Sequence, residues 1–94
     1  MNYYVLIYHY IDDYLTRRAQ FREEHLKLAT ASNKRGEMIL AGAFSNPPDK
    51  GLLIFRVPDR SVIEDFIKED PYVKNGVVTK WEIRPWTVVI GNKD

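Results

Sequence analysis

His25 and Asp70 are the two side chains of this sequence best suited to move a proton, and Arg22 could bind an anion beside them. His25 falls in the apolar half of a helix predicted over residues 15–35, whereas the neighbouring glutamates point to the solvated half. A histidine on the buried side of a helix is more often a core residue bonded to a backbone carbonyl than a catalytic base. A partner for the imidazole elsewhere in the chain would favour the catalytic interpretation.

Asp70 is the carboxylate that could be that partner. A carboxylate close to an imidazole favours its charged form and orients it as a general base or acid. Because Asp70 directly precedes Pro71, it is also expected to cap a short helical turn. One carboxylate oxygen can cap the turn while the other faces a pocket, so the two interpretations are compatible. Sequence alone does not bring His25 and Asp70 together.

Arginine and aromatic side chains could complete a binding pocket around this pair. Arg22 could receive an anionic substrate or a developing negative charge, or its stem could cover the helix. Arg18 falls in the same half of the helix. Aromatic side chains could line a pocket, although packing in the core or at a dimer interface is their commoner use. The aromatic candidates are Tyr8, Tyr10, Tyr72, Trp81 and Trp86, of which we select Tyr8, Tyr72 and Trp86 as substrate-binding residues together with Arg22.

The composition predicts a single domain, residues 1–94, that works without a cofactor. A chain of 94 residues leaves much of its surface in water, so an oligomer is expected. The 14 basic and 13 acidic residues create no field that would favour nucleic acid or an acidic membrane. Cysteine is absent, which excludes disulfides and thiolate chemistry, and two histidines are few for a metal centre. No targeting leader or membrane span is visible, so the cytoplasm is the expected location.

The pattern of apolar residues predicts the element order βαββαβ. Strands are expected over residues 3–10, 37–45, 52–57 and 77–90, and helices over residues 15–35 and 60–69. With right-handed crossovers this order gives an α+β, ferredoxin-like fold: a four-stranded antiparallel sheet with both helices on one face.

The strands are apolar on both faces, which predicts a partner for the face that the helices leave uncovered. The first strand, for example, carries Tyr3, Val5 and Ile7 on one side and Tyr4, Leu6 and Tyr8 on the other. A sheet with one solvated face should alternate between apolar and polar residues. We therefore expect a homodimer in which two sheets pack face to face.

Several short motifs together resemble a known family. They are R-x-x-H-L at residues 22–26, Gly36, Ala41-Gly42, D-P-Y at residues 70–72, Gly76-Val77 and Arg84-Pro85-Trp86. In this order they resemble the YciI-like (YCII-related) family of small proteins. The resemblance implies a dimeric α/β-barrel with His25 and Asp70 as an active-site dyad, and it points to the dehydrochlorination of a hydroxylated aromatic reported within the family. The chain departs from the family pattern at Ala43 and at the short turn of residues 47–48, which leaves the substrate open.

Three classes of function follow from these observations. The leading hypothesis is a cofactor-free enzyme that transfers protons on, or eliminates from, a small aromatic or carbonyl-containing molecule. His25 would act as its base and Asp70 would hold the tautomer. The alternative is a non-catalytic small-molecule-binding or interaction module that uses the same pocket. An RNA-binding domain shares the element order, but residues 52, 54 and 57 lack the stacking aromatics and the chain lacks a basic surface.

Overall fold

The computed structural model describes residues 1–92 and has the predicted βαββαβ order. The four strands form one antiparallel sheet in the order β2-β3-β1-β4. The predicted α+β, ferredoxin-like fold is therefore confirmed. The elements are β1 (Asn2–Tyr10), α1 (Tyr14–Arg17), a 3-10 turn (Arg18–Gln20), α2 (Arg22–Lys34), β2 (Met38–Ala43), β3 (Lys50–Val57), α3 (Ser61–Glu69), α4 (Pro71–Lys74) and β4 (Val78–Pro85).

The core lies between the sheet and the helices, which all cover the same face. Alternation along β1 turns Leu6 and Tyr8 toward the helices, and both are fully buried. From α3, Ile63, Phe66 and Ile67 recur at helical spacing and bury their side chains against the sheet. The core also includes Tyr14, Met38, Leu53, Phe55, Val57, Tyr72, Val77, Val78 and Ile83.

The first helical segment is broken, whereas the sequence predicted one helix over residues 15–35. The 3-10 turn closes with a bond from the Phe21 amide to the Arg18 carbonyl (2.9 Å), and α2 starts afresh at Arg22. Tertiary contacts override the helical pattern here, because Tyr14 stacks on Tyr10 of β1 while α2 packs beside β2. As a result, Arg18 and Arg22 lie on two different segments.

Two element ends show how local chemistry sets the boundaries. Gly36 follows α2 with a φ of +81°, the left-handed conformation in which glycine commonly ends a helix. The last strand ends at Pro85, so the prediction of a strand over residues 77–90 was too long. Proline has no amide hydrogen to continue the ladder. Within residues 1–92 the pairing continues past Pro85 by one bond, from the Trp86 amide to the Tyr3 carbonyl (3.0 Å).

The sheet face opposite the helices carries apolar side chains that nothing in the described chain covers. Val5 and Ile7 of β1 pair with Ile54 and Leu52 of β3, and all four are only half-buried. Leu40 of β2 pairs with Ile54 and is 70% exposed. The centre of this uncovered face is therefore apolar.

Candidate active site

Asp70 lies at the junction of α3 and α4, where its conformation is set by the following proline. Its backbone is extended (ψ 118°), and Pro71 is the first residue of α4. The Oδ1 atom accepts a hydrogen bond from the Tyr72 amide at 3.0 Å, as an N-cap residue should. The predicted helix cap is therefore present. Asp70 is also completely buried, so its charge needs more partners than the cap alone provides.

Two further donors reach the Asp70 carboxylate from distant parts of the chain. The Tyr8 hydroxyl donates to Oδ2 at 2.7 Å, and the His25 Nδ1 atom lies 2.8 Å from Oδ1. The structure thus brings His25 and Asp70 together across 45 positions of sequence. Because an ionised carboxylate can only accept, Nδ1 carries the imidazole proton and donates it. Oδ1 accepts from both the Tyr72 amide and His25, whereas Oδ2 accepts from Tyr8.

His25 presents its other ring nitrogen to the cleft. The imidazole stacks on the Tyr72 ring with centroids 3.9 Å apart and an angle of 7° between the planes. Its side chain is 14% exposed and lines a cleft. Within residues 1–92 the Nε2 atom has no hydrogen-bond partner and is not sealed from solvent. With Nδ1 protonated, Nε2 has a free lone pair and can accept a proton from a bound molecule.

The cleft lies between β2 and the helical residues of α1, the 3-10 turn and α2, and it has a volume of about 210 Å³. Its lining combines two arginines, three tyrosines, the histidine and small residues of β2. The lining residues are Tyr10, Tyr14, Arg18, Arg22, His25, Leu26, Ala29, Ala41, Gly42, Ala43, Leu53 and Tyr72. A larger, shallower hollow of about 480 Å³ lies on the outer side of α2, but it contains neither residue of the dyad.

A stacked pair of tyrosines forms one end of the cleft. The rings of Tyr10 and Tyr14 lie 3.9 Å apart with an angle of 12° between the planes. Burial, followed by the neighbouring Tyr14, raises the pKa of Tyr10 well above its usual range. Gly51 makes this arrangement possible, because a Cβ atom there would lie 2.1 Å from the Tyr10 hydroxyl oxygen. Sequence reasoning did not identify Tyr14 or Gly51, and neither carries a motif that would have shown them.

The tyrosines around the dyad keep their protons. Burial, then the charge of Asp70 and the hydrogen bond to it, raises the pKa of Tyr8 well above its usual range. Burial and the nearby Tyr14 raise the pKa of Tyr72 to about 12, even though Arg18 and Arg22 act in the opposite direction. Tyr8 therefore remains a hydrogen-bond donor to Asp70 under ordinary conditions.

The selected aromatic residues differ in where the structure places them. Tyr72 lines the cleft and stacks on His25. Tyr8 is fully buried behind the dyad, so it contacts Asp70 rather than the cleft. Trp86 lies beyond the end of β4 in a separate hollow with Tyr3 and is not among the residues that line the cleft. Its role in substrate binding stays a prediction.

The described residues offer no cluster for a metal ion. Across positions 1–92, no three His, Asp or Glu side chains converge as metal ligands do. His9, the other histidine, lies on β1 with its Nε2 atom 3.7 Å from a Glu82 oxygen, and strand alternation turns it to the sheet face opposite the one on which Tyr8 meets Asp70. Over the same positions, no helix combines the length and the apolar character needed to cross a membrane.

The fold and the buried dyad define a small ferredoxin-like protein with a histidine–carboxylate cleft. The chain belongs to the YCII-related domain family, which it matches over residues 1–87. The resemblance seen in the sequence motifs is confirmed by this match. A search of curated proteins found no match.

Eleven chains of solved structures match this fold, among them the following two. One is 5-chloro-2-hydroxyhydroquinone dehydrochlorinase (TftG) from Burkholderia phenoliruptrix AC1100 in complex with 2,5-dihydroxybenzoquinone. It has a TM-score of 0.79 and 14% identity, covering 97% of this chain and 99% of that one. The other is protein Atu4242 from Agrobacterium tumefaciens, with a TM-score of 0.64 and 12% identity, covering 99% of this chain and 98% of that one. At these identities the similarity concerns the fold.

Proposed function

We propose that this protein is a cofactor-free enzyme in which His25 removes a proton from a small molecule bound in the cleft. The observation that carries the proposal is the 2.8 Å contact between His25 Nδ1 and the buried Asp70 carboxylate. This contact fixes the tautomer that leaves Nε2 free to accept a proton, and it stabilises the imidazolium that forms. Such an arrangement is the usual way to make a histidine an oriented general base.

In the proposed reaction, Nε2 takes a proton from a carbon or hydroxyl group of the substrate. The electron pair of the broken bond then forms a new double bond within the substrate. If the substrate carries a leaving group, that group departs with its own electron pair; otherwise the proton returns at another atom. Asp70, held by Tyr8 and the Tyr72 amide, keeps the imidazole oriented throughout, and Arg22 stabilises the negative charge that develops on oxygen.

The expected substrate is a single substituted ring or a compact carbonyl compound. The cleft volume of about 210 Å³ is smaller than the pockets that hold drug-sized molecules. Aromatic rings of Tyr10 and Tyr72 line it. The structural neighbour TftG, a dehydrochlorinase bound to a hydroxylated quinone, suggests the same class of substrate and an elimination as the first reaction to test.

The proposal is tested by exchanging the two histidines in turn. Chlorinated hydroquinones are offered to the protein in D₂O, and halide release and deuterium uptake are followed. His25→Asn keeps an amide that can donate to Asp70, so it should fold normally but lose about 100- to 10,000-fold in turnover. His9→Asn is the matched control and should leave turnover unchanged. Full activity in His25→Asn would refute the role of His25.

A non-catalytic binding module is the second candidate. It is favoured by the fact that Asp70 also caps α4 and His25 also stacks on Tyr72, since both contacts stabilise the fold without any reaction. A binder and an enzyme would both hold a ligand in the cleft. Only an enzyme converts it, so recovery of unchanged ligand after long incubation with a tightly bound compound would favour the module.

We also propose that the protein works as a homodimer through the uncovered sheet face. Val5, Ile7, Leu52 and Ile54 leave an apolar centre there that a single chain does not bury. An identical face is self-complementary about a two-fold axis and offers the same apolar area in return. Such packing would place the cleft on the outer, helical layer of each chain.

A further inference from the structure

We infer that the cleft selects planar anionic molecules, and that Arg18 and Arg22 together bind the anionic group. This inference rests on the proposed function, because it names the substrate class of the same cleft. It goes further in assigning Arg18, which the reaction itself does not require.

The first argument is the charge of the cleft wall. Among its lining residues two are cationic and none is a carboxylate. The Asp70 charge lies behind the imidazole and is already bound by three donors. Glu23, the acid next to Arg22, is 3.9 Å from Lys27 and belongs to the outer side of α2. The cleft therefore has an excess of positive charge that a bound anion would balance.

The second argument is that neither cleft arginine has an ion-pair partner within the described residues. Arg35 lies 3.0 Å from Glu37, and Arg60 lies 3.3 Å from Glu64. Arg18 and Arg22 make no comparable contact with a carboxylate anywhere in positions 1–92. Their guanidinium groups therefore keep donors available for a ligand.

The third argument is that Arg18 is held in place before any ligand arrives. Its Nη1 atom donates to the Tyr14 hydroxyl at 3.2 Å, and its Cζ atom lies 5.0 Å from the centre of the Tyr14 ring. Tyr14 is itself buried and stacked on Tyr10. A guanidinium fixed by a cation–π contact loses less conformational freedom when it binds an anion.

The field of the two arginines reaches the inner part of the cleft. Both lower the pKa of Tyr72, although burial keeps that pKa raised to about 12 overall. Tyr72 is the ring on which His25 stacks. An anionic group bound by the arginines would therefore lie close enough to place the rest of the molecule near Nε2.

The shape of the opposite wall favours a flat ligand. Ala41, Gly42 and Ala43 of β2 line the cleft with no side chain longer than a methyl group. A planar carboxylate, enolate or phenolate matches both this wall and the planar fork of a guanidinium.

The test compares an acid with its uncharged amide. Binding of 4-hydroxybenzoate and 4-hydroxybenzamide is measured by NMR titration at low ionic strength, since salt would screen the arginines. The benzoate should bind about tenfold or more tightly than the benzamide. Arg18→Gln and Arg22→Gln should each weaken benzoate binding about tenfold and leave benzamide binding unchanged. Arg17→Gln is the matched control, because Arg17 belongs to α1 but does not line the cleft.

Equal affinities for the two probes, no measurable benzoate binding, or an equal loss in Arg17→Gln would overturn the inference. The same titration in His25→Asn separates it from the proposed reaction, because binding does not depend on proton transfer. Benzoate binding retained in His25→Asn, together with unchanged turnover in that variant, would refute the role of His25 as the base but keep the anion site. Turnover lost in His25→Asn, with no preference for the benzoate in the wild type, would support the role of His25 and refute the anion site.

Discussion

Removing the hydroxyl of Tyr8 tests whether the buried Asp70 charge is held by its three donors. The substitution Tyr8→Phe keeps the ring in the core and deletes only the group that donates to Oδ2 at 2.7 Å. A hydrogen bond to a charged group contributes about 1.5–3 kcal/mol, and here no water can replace it because Asp70 is fully buried. We therefore expect the free energy of unfolding to fall by about 2 kcal/mol.

The effect should also depend on pH in a defined direction. The pKa of Tyr8 is raised in the folded state by burial and by Asp70, whereas in the unfolded chain it is about 10. The stability that comes from the protonated phenol is thus fully present below about pH 10 and is lost as the pH rises above it. Phenylalanine does not titrate, so the difference in the free energy of unfolding between wild type and Tyr8→Phe should become smaller in alkaline buffer.

Urea denaturation at one fixed protein concentration measures both effects, because an oligomer would make the midpoint concentration-dependent. Tyr4→Phe is the matched control: Tyr4 is on the same strand and the same face, and within residues 1–92 its hydroxyl makes no hydrogen bond. It should change stability by less than about 0.5 kcal/mol. If Tyr8→Phe is as stable as Tyr4→Phe at neutral pH, the account of the Asp70 site is wrong.

Two further substitutions test other parts of the structure. Gly51→Ala places a Cβ atom 2.1 Å from the Tyr10 hydroxyl oxygen and should destabilise the fold by about 1–3 kcal/mol in thermal or urea melts. Gly42→Ala is its control, because a Cβ atom at Gly42 would contact nothing within 4 Å among the described residues. An equal loss of stability in the two variants would contradict the packing argument. Light scattering after gel filtration should show a wild-type dimer that Ile54→Lys, at the centre of the uncovered face, converts to monomers. Leu15→Lys, 56% exposed on α1, should remain dimeric, and a monomeric wild type would remove the sheet interface from the proposal.

The parts of the site that the sequence predicts are those with a local signal. His25 could be placed on the inner half of its helix from helical periodicity, and Asp70 could be recognised as a cap from the proline that follows it. Periodicity and capping depend only on neighbouring residues. The predictions for His25 and Asp70 therefore remain correct even though α1 and α2 form separate segments, with the chain turning at Phe21.

The parts that the sequence does not predict depend on contacts between distant elements. Strand alternation puts Tyr8 on the helical face, but it does not reveal that the hydroxyl meets Asp70 and so turns away from the cleft. Nor does it show that Tyr14 fixes Arg18, since that contact needs the turn between α1 and α2. Trp86 looked like a pocket residue because of its type alone, and the end of β4 carries it elsewhere.

The triple use of Asp70 divides the cleft into a side that is costly to change and a side that is free to change. Any replacement of this residue would disturb at once the start of α4, the proton on the imidazole and the hydroxyl of Tyr8. On the opposite side of the cleft lie Arg18 and the three small residues of β2. Within the described part of the chain, none of them combines a helix cap, a contact with the imidazole and a contact with a core hydroxyl. Redesign toward new ligands should therefore begin on β2 and at Arg18, where specificity can be altered without endangering the fold.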